Sequence, residues 1–546
     1  EPAGKIPGGS VAHSDNSVAF CPTTRTMKVA ARPAARLLLP AGSRASSHVA
    51  SVAVPVGGSY GSPYHESVNG HVVSGKPGNA TLAPTRTSVS ATHWEESWPA
   101  DKLKALSQEH VMTTWGPGSA FRQQPLLSHG EGCYLFDMDG NKYLDWTCQA
   151  VCTNLGYDVP PAVLEGVAKQ MARLPMAYSG LGNTEIRVRL ATLLSELLPG
   201  DLGGFLFPSG GSEANEAAIR VARRFTGRTK IINHYRSYHG GSAHSLTATG
   251  DFRRGFVESS APGGFVKTMN PTDSHLFAFG ATDEERTAKA LAFLEEQIMC
   301  EGPTSIAAVM FESVIGSGGV HTAPRGYMEG VRALCDKYGI LMICDEVMVG
   351  FGRTGTLWGF QNYDIIPDIV TSAKGLTGAY LPLSMVAVRS HIKEYFETHP
   401  LGWGATFHAH PVSLAAGYEC VKFMLEQDLV GHAKNVIEPI LREQIQGLVS
   451  KYASVARGRA LGAFGALDLI DPSTGEPIQS FDGSNCKHPA AVAAFRSALR
   501  ANGIYGFIRP PVFHCAPALV IKPEELEDGF RRVDKALEVF DTAVRS

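Results

Sequence analysis

A chain of 546 residues with 49 Lys and Arg against 52 Asp and Glu carries a net charge of −3, which speaks against a general nucleic-acid or membrane-surface binder. Its 44% hydrophobic content suits globular cores, about three or four domain-sized units at this length. No run of about 18 apolar residues appears, so no membrane-spanning helix is expected.

Charge and composition divide the chain. Residues 1–92 hold three acids and eight Lys or Arg, so this front carries +5 and the remainder −8. The front is rich in Ser, Gly, Ala, Pro and Thr and has no sustained helical or strand period, so it is expected to be disordered. Within it, Met27 to Pro40 is acid-free and bears Arg32 and Arg36, a composition that suits an organelle transit peptide, with the mitochondrion as first choice. The competing reading is an uninformative linker. Asn79-Ala-Thr81 matches a glycosylation sequon but has no secretory segment beside it. Ten cysteines run from Cys21 to Cys515 without a CxxC pair, and reduced thiols in an intracellular compartment are expected.

From about residue 185 the pattern becomes α/β. Glu185 to Leu198 is a helix candidate with Ile186, Leu190, Leu193, Leu194 and Leu197 along one side. The apolar run Gly204–Phe207 meets Pro208-Ser-Gly-Gly-Ser212, and a second helix follows with Ala214, Ala217, Ala218, Val221, Ala222 and Phe225 on one face. Later strand candidates are Lys230–Asn233, Ser305–Phe311, Ile340–Cys344, Asp368–Ser372 and Ser384–Val388, with helical stretches at Asp283–Met299 and Tyr327–Tyr338. Such alternation implies a largely parallel sheet covered on both faces, with ligands bound beyond the carboxyl ends of its strands.

Four features stand at those ends. Ser209-Gly-Gly-Ser-Glu-Ala-Asn215 follows a strand and opens a helix, an arrangement whose backbone N–H groups can cradle a phosphate. Ile340-Leu-Met-Ile-Cys-Asp345-Glu346 ends an apolar strand in acids, and a carboxylate there can hold a pyridinium nitrogen. Asp368-Ile-Val-Thr-Ser-Ala-Lys374-Gly375 delivers an amine into a pocket, where desolvation favours the neutral nucleophile needed for a Schiff base. Ser237-Tyr238-His239-Gly240 offers a ring that could stack on a planar cofactor. Taken singly, the first is more often a plain connection, the second a helix cap or surface pair and the third a solvated loop lysine, and the fourth can be a packed turn.

Together with Asp345-Glu-Val-Met-Val-Gly-Phe-Gly-Arg-Thr-Gly355, Ala373-Lys-Gly-Leu-Thr377, Thr406-Phe-His-Ala-His-Pro411 and Ala516-Pro-Ala-Leu519, the chain resembles the class III pyridoxal-phosphate (PLP) aminotransferases of fold type I, from about residue 100 to the end. The resemblance implies a large domain with a mostly parallel seven-stranded sheet, over residues 151–405. It also implies a smaller α+β domain, begun by residues 93–150 and completed by residues 406–546. Lys374 would be the Schiff-base lysine and the proton-transferring base, and Asp345 would pair with the ring nitrogen. Val347 and Tyr238 would cover the ring faces, with His239 and Glu312 also lining the cofactor. Gly211 and Ser212 would bind the phosphate, and Thr406 would reach the phosphate of a neighbouring subunit, making a homodimer with shared sites. The family needs no metal, so His408 and His410 are not read as ligands. Arg509, in Gly506-Phe-Ile-Arg-Pro, stands near the place of a mobile arginine that takes a substrate carboxylate, and Trp115 could wall the pocket.

The substrate pattern Leu376-Thr-Gly-Ala-Tyr-Leu-Pro-Leu383 is similar to members that move ω-amino groups to pyruvate. The expected reaction is therefore ping-pong transamination of β-alanine, 4-aminobutyrate or taurine with a 2-oxo acid, through the pyridoxamine form. Ornithine or acetylornithine transamination, a semialdehyde aminomutase and a silent binding homologue are the competitors. A nucleotide-dependent oxidoreductase would rest only on Gly210 and Gly211 and lacks a dinucleotide fingerprint.

Overall fold

The computed structural model describes residues 97–272, 277–480, 485–506 and 508–546, and these belong to one compact unit. The transit-like stretch and the sequon lie outside the described residues.

A seven-stranded sheet forms the centre. Its strands are β1 (Leu202–Leu206), β2 (Lys230–His234), β3 (Phe265–Thr268), β4 (Ile306–Glu312), β5 (Leu341–Asp345), β6 (Ile369–Ser372) and β7 (Met385–Arg389). Their order across the sheet is β1-β7-β6-β5-β4-β2-β3. Only β7 runs against its neighbours; the other pairings are parallel. The apolar runs read from the sequence become the central strands, and every residue of β4, β5 and β6 is buried. A strand covered on both faces must be apolar along its whole length, so these runs do not alternate.

The helices Gly211–Thr226, Asp283–Glu301 and Tyr327–Tyr338 follow β1, β3 and β4. The first buries Ala214, Ala217, Ala218, Val221 and Ala222 as anticipated, with Asn215 among them. Small side chains let it lie close over the sheet. Strand β3 escaped the sequence reading. It is a short edge strand containing Lys267, whose Nζ donates to Asn233 Oδ1 at 2.9 Å and to the carbonyls of Thr247 and Ala248 at 2.6 and 2.9 Å. A satisfied lysine breaks the apolar pattern without breaking the strand.

Two smaller sheets bring the ends of the chain together. Leu127–Glu131, Tyr134–Asp137 and Lys142–Asp145 pair antiparallel, and the late strand Ile504–Tyr505 adds to Lys142–Asp145 in parallel. Val455–Leu461, Phe464–Leu469, Val512–Cys515 and Ile508–Arg509 form the other sheet. The last helix, Pro523–Arg545, presses on the first of these sheets through Trp146, which is fully buried with its ring edge-on to Phe530 at 4.9 Å. Gly529 permits the approach, since a Cβ there would stand 2.4 Å from the Trp146 ring. Arg353 ties distant segments inside the protein, donating to the carbonyls of Ala463 and Pro517 at 2.9 and 2.6 Å and to Asn154 Oδ1 at 2.7 Å. The nine described cysteines are free thiols, and no described helix is long and apolar enough to cross a membrane.

Trp146→Ala should destabilise the fold by about 3–5 kcal/mol, because it opens a cavity in the middle of this packing. A denaturant titration followed by circular dichroism measures the shift in midpoint.

Candidate active site

The carboxyl ends of β4, β5 and β6 lie side by side. Glu312 is in register with Asp345, and Asp345 with Thr371. Lys374 follows β6 at the start of a short 3₁₀ turn, with φ +35°. That left-handed backbone is uncommon for a residue with a side chain, and such strain is tolerated where the surroundings over-determine it.

Asp345 is 3% exposed and gathers donors from three segments. Its Oδ2 accepts from Asn215 Nδ2 at 2.8 Å and lies 2.7 Å from His239 Nδ1; its Oδ1 accepts from the Val347 N–H at 3.0 Å. Asn215 is itself fixed, since Thr371 Oγ1 donates to its Oδ1 at 2.7 Å and its Nδ2 also donates to the His239 carbonyl at 2.6 Å. The Nε2 of His239 is buried with no hydrogen bond among the described residues.

The glycine turns bring the helix start and the aromatic loop against this carboxylate. A Cβ on Gly211 would stand 2.7 Å from Val347 Cγ1, and one on Gly240, at φ +139°, would stand 2.4 Å from Ser212 Oγ. Ser212 Oγ accepts from the Gly241 N–H at 2.8 Å. Gly210 supplies no side-chain cap to the helix, so its first N–H groups are open to an anion. Tyr238 is placed by Glu312, whose two oxygens accept from the N–H groups of Tyr238 and Gly316 at 2.8 and 3.0 Å. Burial, helped by the nearby Asp345 charge, pushes the Glu312 carboxyl up to about 7. Burial also holds the Lys374 amine below its ordinary range; Arg509 pushes the same way, while Cys152, Asp345 and Glu312 oppose it.

The sequence-predicted residues Gly211, Ser212, Tyr238, His239, Glu312, Asp345, Val347 and Lys374 thus form one cluster. Trp115 joins it at the mouth, half exposed, with its ring edge-on to Tyr238 at 6.2 Å. Arg509 is within electrostatic reach of Tyr238, Glu312 and Lys374, and its Nη1 lies 3.7 Å from Asp251 Oδ2. Thr406 is exposed in a turn and is not part of the cluster. Residues without an assigned role also stand here. Asn215 lies inside a quoted motif, and Thr371 on an anticipated strand. Arg253 gave no local signal: its guanidinium stacks 3.5 Å from the Tyr238 ring centroid and binds both oxygens of Asp251 through Nε at 3.1 and 3.0 Å.

Residues 120–537 match the family model described as aminotransferase class-III. The chain is 30% identical over 420 residues to "Gamma-aminobutyrate transaminase 1, mitochondrial" of Oryza sativa subsp. japonica, covering 74% of this chain and 79% of that one. Among solved structures it is similar to a taurine:2-oxoglutarate aminotransferase from Bifidobacterium kashiwanohense in complex with PLP and glutamate. The TM-score there is 0.77 and the identity 37%, over 82% of this chain and 99% of the other. An (S)-enantioselective omega-transaminase from Thermomicrobium roseum superposes with a TM-score of 0.76 at 32% identity, over 82% and 100% of the two chains.

Glu312 gives this site a pH signature. In the folded protein it keeps its proton up to about 7, whereas an ordinary glutamate loses it near 4.5. The stability it contributes is therefore present below 4.5 and is lost as pH rises from 4.5 through about 7. Denaturant titrations of the cofactor-free protein across that window should show stability falling with pH, and Glu312→Gln should flatten the slope.

Proposed function

The chain belongs to the class III aminotransferases, whose cofactor is pyridoxal 5′-phosphate, and from that premise we propose that it transfers the amino group of an ω-amino acid to a 2-oxo acid. Donors are of the β-alanine, 4-aminobutyrate or taurine type, with pyruvate or another 2-oxo acid as acceptor. The observation that carries the reading is that Asp345 and Lys374 stand at the carboxyl ends of neighbouring strands, with Asp345 and Arg509 both within electrostatic reach of the Lys374 amine. The names of the taurine and 4-aminobutyrate enzymes it resembles support the same donor class.

The residues present fit the cofactor. An uncapped helix start offers N–H groups for a phosphate, a buried strand-end carboxylate suits a ring nitrogen, and a desolvated amine suits a carbonyl. When bound, the cofactor supplies the electron sink for a carbanion beside the imine. Asp345, oriented by Asn215, His239 and the Val347 N–H, would hold the ring nitrogen. Val347 and Tyr238 would enclose the ring, Glu312 would fix the Tyr238 backbone, and Gly211 and Ser212 would receive the phosphate. Lys374, whose amine burial holds below its ordinary range, would take a proton from the substrate carbon and return it during each half-reaction. Arg509 would pair with the acid group of donor or acceptor, and Trp115 would close the mouth against water.

Thr406 would complete the phosphate site of a second copy, so the working unit would be a homodimer. Residues 93–150 and 406–546 would make up a small domain around a large one at 151–405, a division supported by the strand shared between the chain's two ends. A mitochondrial location would rest on the basic, acid-poor segment near Met27 and on the similarity to the mitochondrial rice enzyme.

The visible spectrum of the cofactor-loaded protein tests the chemistry. β-Alanine, 4-aminobutyrate or taurine should bleach the cofactor band and pyruvate should restore it, and Lys374→Ala should abolish the cycle. Bleaching by ornithine alone would overturn the donor class while leaving the family intact. Arg509→Leu should raise KM for acid-bearing donors by about 10–100-fold, the worth of a lost charged hydrogen-bonded pair, and should spare an amine without an acid group such as propylamine.

A further inference from the structure

The loop that carries Tyr238 holds beside it an acid to which the proposed chemistry gives no task. The N–H groups of Gly250 and Asp251 donate to the Ser237 carbonyl at 2.9 and 3.2 Å, which ties Asp251 next to Tyr238. Asp251 is 13% exposed. Its Oδ1 accepts from the Arg253 N–H at 3.0 Å and so caps the short 3₁₀ turn Phe252–Phe256. Both of its oxygens also accept from the Arg253 guanidinium. That guanidinium is buried; it stacks on the Tyr238 ring and donates through Nη2 to Ser317 Oγ at 3.3 Å.

A second arginine reaches the same acid from a distant segment. Arg509 Nη1 lies 3.7 Å from Asp251 Oδ2, near enough for attraction between charges and too far for a hydrogen bond. Burial and the Arg253 charge push the Arg509 guanidinium down to about 10, while Asp251, Tyr238 and Glu312 oppose them. Glu312 is a poor counter-ion, because both of its oxygens are taken by backbone N–H groups and its carboxyl is pushed up to about 7. Among the described residues, Asp251 is therefore the acid that holds Arg509, and it does so with whatever attraction Arg253 leaves over.

We propose that Asp251 is a specificity-determining residue that competes with the acid group of a substrate for Arg509. The inference rests on the reading of Arg509 as the partner of that acid group. A carboxylate or sulfonate that binds Arg509 replaces a 3.7 Å attraction by direct hydrogen bonds, and it meets repulsion from Asp251, which stays where Arg253 holds it. Both effects raise KM for substrates that carry an acid. An amine without an acid group disturbs neither, and Arg509 then keeps Asp251 as its counter-ion. Arg253 sets the strength of the competition: by occupying both oxygens of Asp251 it limits what that acid can offer to Arg509.

Asp251→Asn tests the proposal by the sign of its effect. Asparagine keeps an acceptor for the 3₁₀ turn and loses only the charge. In the cofactor-loaded enzyme, KM for β-alanine and 4-aminobutyrate should fall about 3–10-fold, while KM for propylamine stays within about twofold. Mere damage to the loop would raise KM or lower kcat for both classes of amine, and that result overturns the proposal. Arg253→Met leaves an apolar stem on the Tyr238 ring and releases Asp251 to Arg509. It should act in the opposite direction, raising KM for the acid-bearing donors relative to propylamine; no change in that ratio, or a fall, overturns the proposal. Calorimetry with sodium propionate, an acid without an amine, reads the same competition without turnover. Binding should tighten about 3–10-fold in Asp251→Asn and disappear in Arg509→Leu. Equal propionate affinity with and without the Asp251 charge, or no binding to either protein, overturns the proposal. Should one of the two variants at 251 and 253 not fold, the other carries the test. Failure of the donor class shows differently: none of the ω-amino acids then bleaches the cofactor band of the unaltered enzyme, and the propionate titration still decides on Asp251.

Discussion

A carboxylate buried at the end of a central strand is the constraint on which the rest of this structure turns. Asp345 sits where water cannot serve it, so the protein must supply every donor. Three segments do so: Asn215 from the helix over the sheet, His239 from the aromatic loop and the Val347 N–H from the strand's own continuation. Each has consequences. Asn215 must break an alanine face that otherwise packs on the sheet, and Thr371 of the neighbouring strand then fixes which end of its amide points at Asp345. Bringing the helix start and the loop this close leaves no room for a Cβ at 211 or 240, so both positions are glycine.

The polar groups around that carboxylate are balanced against one another. Glu312 spends both oxygens on backbone N–H groups and so orders the Tyr238 loop rather than presenting a free acid. Lys374 lies between acids and Arg509, and desolvation outweighs the attraction of those acids. An amine so placed is closer to its neutral form than a solvated lysine, the form a carbonyl needs. Strained backbone gathers in the same region. Lys374 has a positive φ, as do Cys148, Gln149 and Val151 in the segment that leads to Cys152 beside it. For a β-branched residue such as Val151 that conformation is rare; its N–H donates to the Thr147 carbonyl, and Asp145 fixes the same turn by accepting from the Gln149 N–H and from Tyr157 Oη. Rigidity is thus built from a second buried carboxylate, Asp145, by the same means as at Asp345.

Local pattern carried much of this. Strands β4 to β6 announced themselves as apolar runs, and Asp345 and Lys374 as polar residues where such runs stop. Strand β3 was hidden because Lys267 interrupts it, and a lysine held by three oxygens cannot be told in sequence from a solvated one. Arg353 stood inside a motif quoted for chemistry, yet its guanidinium is consumed by Ala463, Pro517 and Asn154 as a structural tie. Asn215, Thr371 and Arg253 were not assigned roles for a common reason. Their importance comes from partners more than a hundred residues away, or from a stacking contact that no spacing encodes.

Arg253 shows what such a non-local contact does to the proposed chemistry. Its guanidinium lies on the Tyr238 ring and its N–H groups hold Asp251, so the ring and the carboxylate are fixed as one unit. Asp251 is also the acid nearest to Arg509, at 3.7 Å, beyond the reach of a direct hydrogen bond. An acid already committed to one guanidinium holds a second one weakly. Arg509 is therefore attracted by Asp251 without being neutralised by it, and under the proposed function a carboxylate or sulfonate of the substrate would meet a cation that still lacks a hydrogen-bonded partner of its own among the described residues. Because Arg253 meets the needs of Asp251, an amine without an acid group would, under the same proposal, leave that acid paired. The breadth of donors proposed for this enzyme thus follows from one carboxylate placed between two unequal arginines.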